Sequence, residues 1–117
     1  MAEENTYELK SHWNDTVYTI VLRKTYYANN NALAIVALDL SEGYEQPYAT
    51  LTVNLPESDY LEWNEAYIDT NNLGEEISQW LEENNIAYDL GLKARSGYCE
   101  YPLFRFTDTF LNSTKEN

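Results

Sequence analysis

From residue 25 to residue 92 the chain carries thirteen carboxylates and not one lysine or arginine. Charges in such a stretch have no counter-ion nearby in sequence. A fold must therefore turn them to water or reach a base in a flank, because an unpaired buried charge is too costly to keep. The two flanks are close to neutral, so the net charge of −13 resides almost wholly in this middle segment. At physiological salt the Debye length is about 8 Å, and carboxylates this dense still repel one another. The surplus costs stability and adds solubility, and a use in recognition is a further reading of it.

The apolar pattern between the acids is that of a folded domain. Hydrophobic residues make up 44% of the 117, too many for an acidic disordered tail. Four glycines and three prolines leave no long linker, and the length suits one core, so residues 1–117 are read as a single domain with short flexible ends near 1–6 and 111–117. Val17–Tyr27 is β-branched and aromatic, with Tyr18, Ile20 and Leu22 on one side of a strand. The asparagines of "ANNN" at 28–31 make a turn. Ala32–Leu40, apolar on both faces, reads as a central strand. After a turn at "SEGYEQP", Tyr48–Leu55 alternates, Ala49, Leu51, Val53 and Leu55 inward and Tyr48, Thr50, Thr52 and Asn54 outward.

Beyond Pro56 the pattern loosens: Tyr60–Trp63 suits a helical turn and Ala66–Asp69 a brief strand. A helix is predicted over Leu73–Asn84, capped by Asn72 with Glu75 in reciprocal position, its stripe Leu73, Ile77, Trp80 and Leu81 facing the core. "IAYDLGLKA" and "GYCEYPLFRFTD" supply one or two closing strands. The expected fold class is α+β, an antiparallel sheet (meander plus C-terminal strands) packed by one main α-helix.

Several chemistries find little footing. His12, the single histidine, has no base or nucleophile beside it in sequence, and Cys99 lies in an expected strand, so no catalytic residue is assigned and the chain is read as not an enzyme. "DTNNLGEEISQW" begins like a calcium loop at Asp69, Asn71 and Gly74, then places Leu73 and Trp80 where oxygen ligands are required. No metal and no cofactor is expected. A lone cysteine forms no internal disulfide, the N-terminal residues are polar, and the apolar run Ala32–Leu38 is too short to cross a bilayer, so a cytoplasmic setting without membrane contact is expected. Direct nucleic-acid binding is disfavoured by the repulsive field.

The stretch "ESDYLEWNEAYIDTNN" and the helix after it give the candidate site. Glu57, Asp59, Glu62, Glu65 and Asp69 precede Glu75, Glu76, Glu82 and Glu83, and Tyr60 and Trp63, with Tyr67, supply rings among them. Helical rotation of about 100° per residue puts Glu75 with Glu82 and Glu76 with Glu83 in two rows opposite the apolar stripe. Such a surface suits a cationic groove, through charge-assisted bonds and steered association, with the rings as anchors.

"QPYATLTVNLPE", "AYIDTNN", "WLEENNIA" and "SGYCEYPLFRF", spanning about 46–107, resemble a family of small uncharacterised acidic domains carried on conjugative elements and phages of Gram-positive gut bacteria. The resemblance implies a mobile-element setting and no catalytic residues. Together these readings lead to an expected acidic inhibitor of anti-CRISPR or anti-restriction type. It would bind, as a monomer or homodimer, a basic nucleic-acid-handling host protein such as a CRISPR or restriction nuclease. The alternatives are an accessory or structural interaction domain of the element, pairing through a sheet edge or tyrosine patch, and a small enzyme using carboxylates.

Overall fold

A computed structural model describes residues 4–117, and these form two antiparallel sheets with a few short helices. The first sheet contains β1 (Thr6–Lys10), β2 (Val17–Tyr26), β3 (Leu33–Asp39) and β4 (Gln46–Thr50), in that spatial order. Strands β2, β3 and β4 are the expected meander, with Ile20 and Leu22 in the core beside Tyr18. As its two-sided apolarity predicts, β3 is an interior strand. Asn31 takes a positive φ of 60° in the turn before it, and the Asn30 side chain accepts from Ala32 N. Strand β1 lies outside the elements that the apolar periodicity predicts. It pairs with β2 along its whole length and buries Leu9.

The strand expected over 48–55 is divided between two sheets. Thr50 pairs with Val36 in the first sheet, and Thr52 pairs with Ile68 in the second. Leu51, fully buried between them, donates its N–H to Ile35 O at 2.8 Å and accepts from Asp69 N at 2.9 Å. The division changes one facing assignment: Thr52, expected outward, is buried at the crossing. Its Oγ1 accepts from Ile35 N at 3.3 Å and bonds the Tyr27 hydroxyl at 3.1 Å.

The second sheet follows the order β5 (Thr52–Val53), β6 (Glu65–Ile68), β8 (Cys99–Phe106), β7 (Ala87–Ser96). A 3₁₀ turn, Pro56–Tyr60, leads into it, held by the buried Ser58, whose hydroxyl accepts from Leu55 N. The closing segment forms both β7 and β8.

The main helix, α2 (Glu76–Glu83), starts three residues later than expected, because Gly74, at φ 85° and ψ 162°, cuts off Leu73, which ends a separate short helix, α1 (Thr70–Leu73). That conformation is nearly closed to residues with a Cβ. The cap moves accordingly: Asp69 Oδ1 accepts from Asn72 N, and the Asn72 side chain donates to Asp69 instead of capping. The stripe survives, with Leu73, Ile77 and Leu81 buried and Trp80 half-buried. A third helix, α3 (Asp108–Ser113), is capped by Thr107. Beyond it the chain is tied to β2, where Lys24 N donates to Lys115 O and Asn117 N to Lys24 O. The first three residues of the expected flexible N-terminal end lie outside the described residues.

The main core lies between the sheets and the helices: Ile20, Ile35, Leu51, Ile68, Ile77, Leu81, Phe104, Phe106 and Phe110 are its centre. Alternation along β6 and β8 sends Tyr67 and Leu103 to the opposite face, where with Leu55 and Ala94 they form a smaller cluster. Within the described residues no helix is long and apolar enough to cross a membrane.

Candidate functional site

Burying Ile77 and Leu81 fixes the rotation of α2 and so decides where its acids point. The exposed side is centred on Gln79, with Glu75 and Glu82 on one flank and Glu76 and Glu83 on the other, about 120° of arc in all. All four glutamates are exposed. Their local commitments are slight: Glu82 Oε2 accepts from Asp89 N, Glu83 Oε1 accepts from the Gln79 amide, and Glu75 has no bonded partner among the described residues. Glu76 is engaged more closely, its Oε1 2.7 Å from His12 Nδ1. Trp80 anchors the helix to the first sheet. Its Nε1 donates to Glu8 O at 2.8 Å and its ring meets Tyr7 edge-on.

The second group sits on the 3₁₀ turn and the loop after it. Glu57, Asp59, Tyr60, Glu62 and Trp63 are all exposed, Tyr60 by 89% and Trp63 by 66%. Asp59 is held by the Asn30 amide at 2.7 Å, and Asn30 in turn donates to Asn54. These asparagines fasten the turn to the β2–β3 connection, so the rings project from a fixed base. No hydrogen bond or ion pair among the described residues joins this loop to α2.

Two acids and one ring expected on that exterior are turned inward. Glu65 is buried, with Oε2 2.6 Å from Arg105 Nη2 and Oε1 accepting from Glu62 N at 3.0 Å. It is a structural counter-ion, and its hydrogen bond raises the Arg105 pKa still further. Asp69 is buried as the cap of α1. Tyr67 belongs to the smaller core, and burial pushes its hydroxyl pKa up. Strand alternation sets the direction of Glu65 and Tyr67 and a cap position that of Asp69, and Arg105 supplies Glu65 with its cation from a distant part of the chain.

The pairing of His12 with Glu76 was not legible in the sequence. Gly74 lies against the pair, where a Cβ would overlap Glu76 Oε1 and crowd His12 Nδ1 at 2.5 Å. Lys10, Ser11, His12, Asp15 and Glu76 surround a shallow cavity there. No group of three or more metal-ligating side chains occurs among the described residues.

The arrangement is thus an acidic helix face plus an aromatic, acidic loop, suited to recognition by charge and ring contact. No curated protein and no solved structure matches the chain. A family profile matches residues 21–116, from the middle of β2 almost to the C-terminus, and the chain therefore belongs to the family described as a domain of unknown function, DUF4313.

Proposed function

We propose that the domain is a non-catalytic inhibitor that binds a basic, nucleic-acid-handling host protein, of anti-CRISPR or anti-restriction type, by presenting carboxylates where that protein expects phosphates. The observation carrying this reading is the exposed α2 face, where four glutamates flank Gln79 with no lysine or arginine on the helix. Desolvated pairs between such carboxylates and an arginine-lined groove are the strong kind of hydrogen bond, and the field draws a cationic partner in. Tyr60 and Trp63, exposed on a fixed turn, supply rings of the type that dominate binding energy. A mobile-element origin and a cytoplasmic setting complete the proposal, on the strength of the motif resemblance and of the single cysteine.

The test is inhibition of DNA cleavage by a panel of purified restriction and CRISPR nucleases, with the wild type and with a variant carrying Glu75→Lys, Glu76→Lys, Glu82→Lys and Glu83→Lys. Salt-sensitive inhibition by the wild type and none by the variant, both folded by circular dichroism, is the expected result. Equal inhibition by both removes α2 from the site. Absence of inhibition across the panel favours the second reading, an interaction domain of a mobile element without inhibitory role. The exposed Tyr60 and Trp63 would suit that role equally well.

A further inference from the structure

We infer that the cleft between the helices and the β7–β8 hairpin is a binding site for a basic α-amino acid of the arginine or lysine type. Its walls come from four elements, α1 and α2 on one side and β7 and β8 on the other, around a cavity of about 330 Å³. The strand register puts the hairpin's contribution on one face of the sheet. Lys93 stands opposite Pro102, and Glu100 lies two residues from Pro102 and so on the same side. Asp89 is set at the irregularity in β7, where its Oδ1 accepts from Gly91 N at 2.8 Å and its N–H donates to Glu82 Oε2. From the helices come Thr70, Glu75 and Ser78.

Two observations point to a ligand. The first is a buried hydroxyl. Thr70 is only 7% exposed and lines the cavity, yet its hydroxyl enters no hydrogen bond among the described residues. Among those residues the one sealed side-chain polar atom without a partner is Arg105 Nε, so the Thr70 hydroxyl is not sealed but opens on the cavity. A polar group at this depth without a partner is costly to keep, and a polar group of a ligand would satisfy it. The second is the charge. Lys93 shares the cavity with Glu75, Asp89 and Glu100 but forms no ion pair with any of them, and Arg95, opposite Glu100 in the register, forms none either. The four charges stand around the cavity without neutralising one another.

That set of charges selects the ligand. The three carboxylates do not converge on a point, since no group of three or more metal-ligating side chains occurs among the described residues, so a molecule that spans them fits better than a single ion. A plain amine would leave Lys93 facing a like charge. An α-amino acid with a cationic side chain brings one carboxylate and two cations. Its carboxylate meets Lys93 and its α-ammonium meets Asp89, both on β7, while its side-chain cation reaches Glu75 and Glu100, whose oxygens are uncommitted. The volume lies at the small end of the range for ligand pockets, which suits a molecule of this size. The site shares only Glu75 with the α2 face proposed to meet a host protein, and its test needs no such protein. Its failure leaves the inhibitor reading standing.

The test is isothermal titration calorimetry of the full chain at physiological salt with L-arginine and L-lysine. Each is compared with its decarboxylated analogue, agmatine or cadaverine, and with an analogue whose side chain is neutral, L-citrulline or L-norleucine. Saturable one-to-one binding of at least one basic amino acid is expected, with both of its analogues weaker by about tenfold or more. Lys93→Gln should weaken the amino acid by about tenfold and leave the decarboxylated analogue unchanged, so that the two become alike. Glu75→Gln with Glu100→Gln should weaken the amino acid and the decarboxylated analogue together. All three positions are exposed, so both variants keep the fold, as circular dichroism checks. No saturable binding of either amino acid, an analogue that binds the wild type as tightly, or variants that bind as the wild type does would each overturn the inference.

Discussion

Replacing Gly74 by alanine tests the reason the main helix begins at Glu76 and not at Leu73. At φ 85° and ψ 162° the residue occupies a region that side chains rarely adopt, which costs on the order of 1–3 kcal/mol. The new methyl also meets Glu76 Oε1 and His12 Nδ1, so the pair between them must separate. Both partners are about half exposed or more, at 46% and 64%, so the loss of that contact adds only about 0.2–1 kcal/mol. Against this, alanine restricts the unfolded chain and returns about 0.4–1 kcal/mol. The net expectation is a loss of about 1–3 kcal/mol, or a fall in Tm of roughly 5–15 °C for a domain of this size. Urea denaturation of the wild type, Gly74→Ala, Glu76→Ala and the double variant separates the contributions. Removing the Glu76 side chain should relieve the crowding at its carboxylate and leave the contact with His12 and the backbone strain, so alanine at 74 should cost less in that background but still cost. A Gly74→Ala protein within about 0.5 kcal/mol of wild type in both backgrounds would refute the reasoning, since that is the scatter of neutral surface changes.

Two further outcomes follow from buried contacts. Thr52→Val keeps the shape at the sheet crossing but leaves the Ile35 N–H without its acceptor, and should lower stability by about 1–3 kcal/mol in urea; an unchanged midpoint would show the bond to be dispensable. Arg23 hydrogen-bonds Glu4 and Glu45 and holds both carboxyls below their ordinary pKa. Their contribution is therefore complete above the unfolded-state pKa and is lost as the pH falls through the lower folded-state values, so the acid limb of the stability curve should flatten in Arg23→Ala; identical limbs would contradict this.

The parts of the fold that sequence made legible are those where one physical signal acts alone. The two-sided apolarity of Leu33–Asp39 marks an interior strand, and the Ile77–Leu81 stripe fixes the buried side of α2. The crossing at Leu51 was not legible because an unbroken alternation gives no sign that its two halves pair with different sheets. The segment of β1 is short and mostly polar, with only Tyr7 and Leu9 packed inward, so its periodicity is weak. Glu65 shows the same limit within the candidate site. Its letter is that of a surface acid, and the cation that draws it inward lies forty residues away at Arg105. Glu57, Asp59 and Glu62, lacking any such counter-ion, are exposed as their composition implies.

Leu51 has a mechanical consequence. Its amide is committed to one layer and its carbonyl to the other, so neither layer can peel away without tearing the backbone bonds of its neighbour. A half-opened molecule would lose contacts in both layers while freeing little chain, a poor exchange of enthalpy for disorder. The architecture thus favours melting in a single cooperative step, and it keeps the acidic helix and the aromatic turn in fixed register with one another for as long as the protein is folded at all.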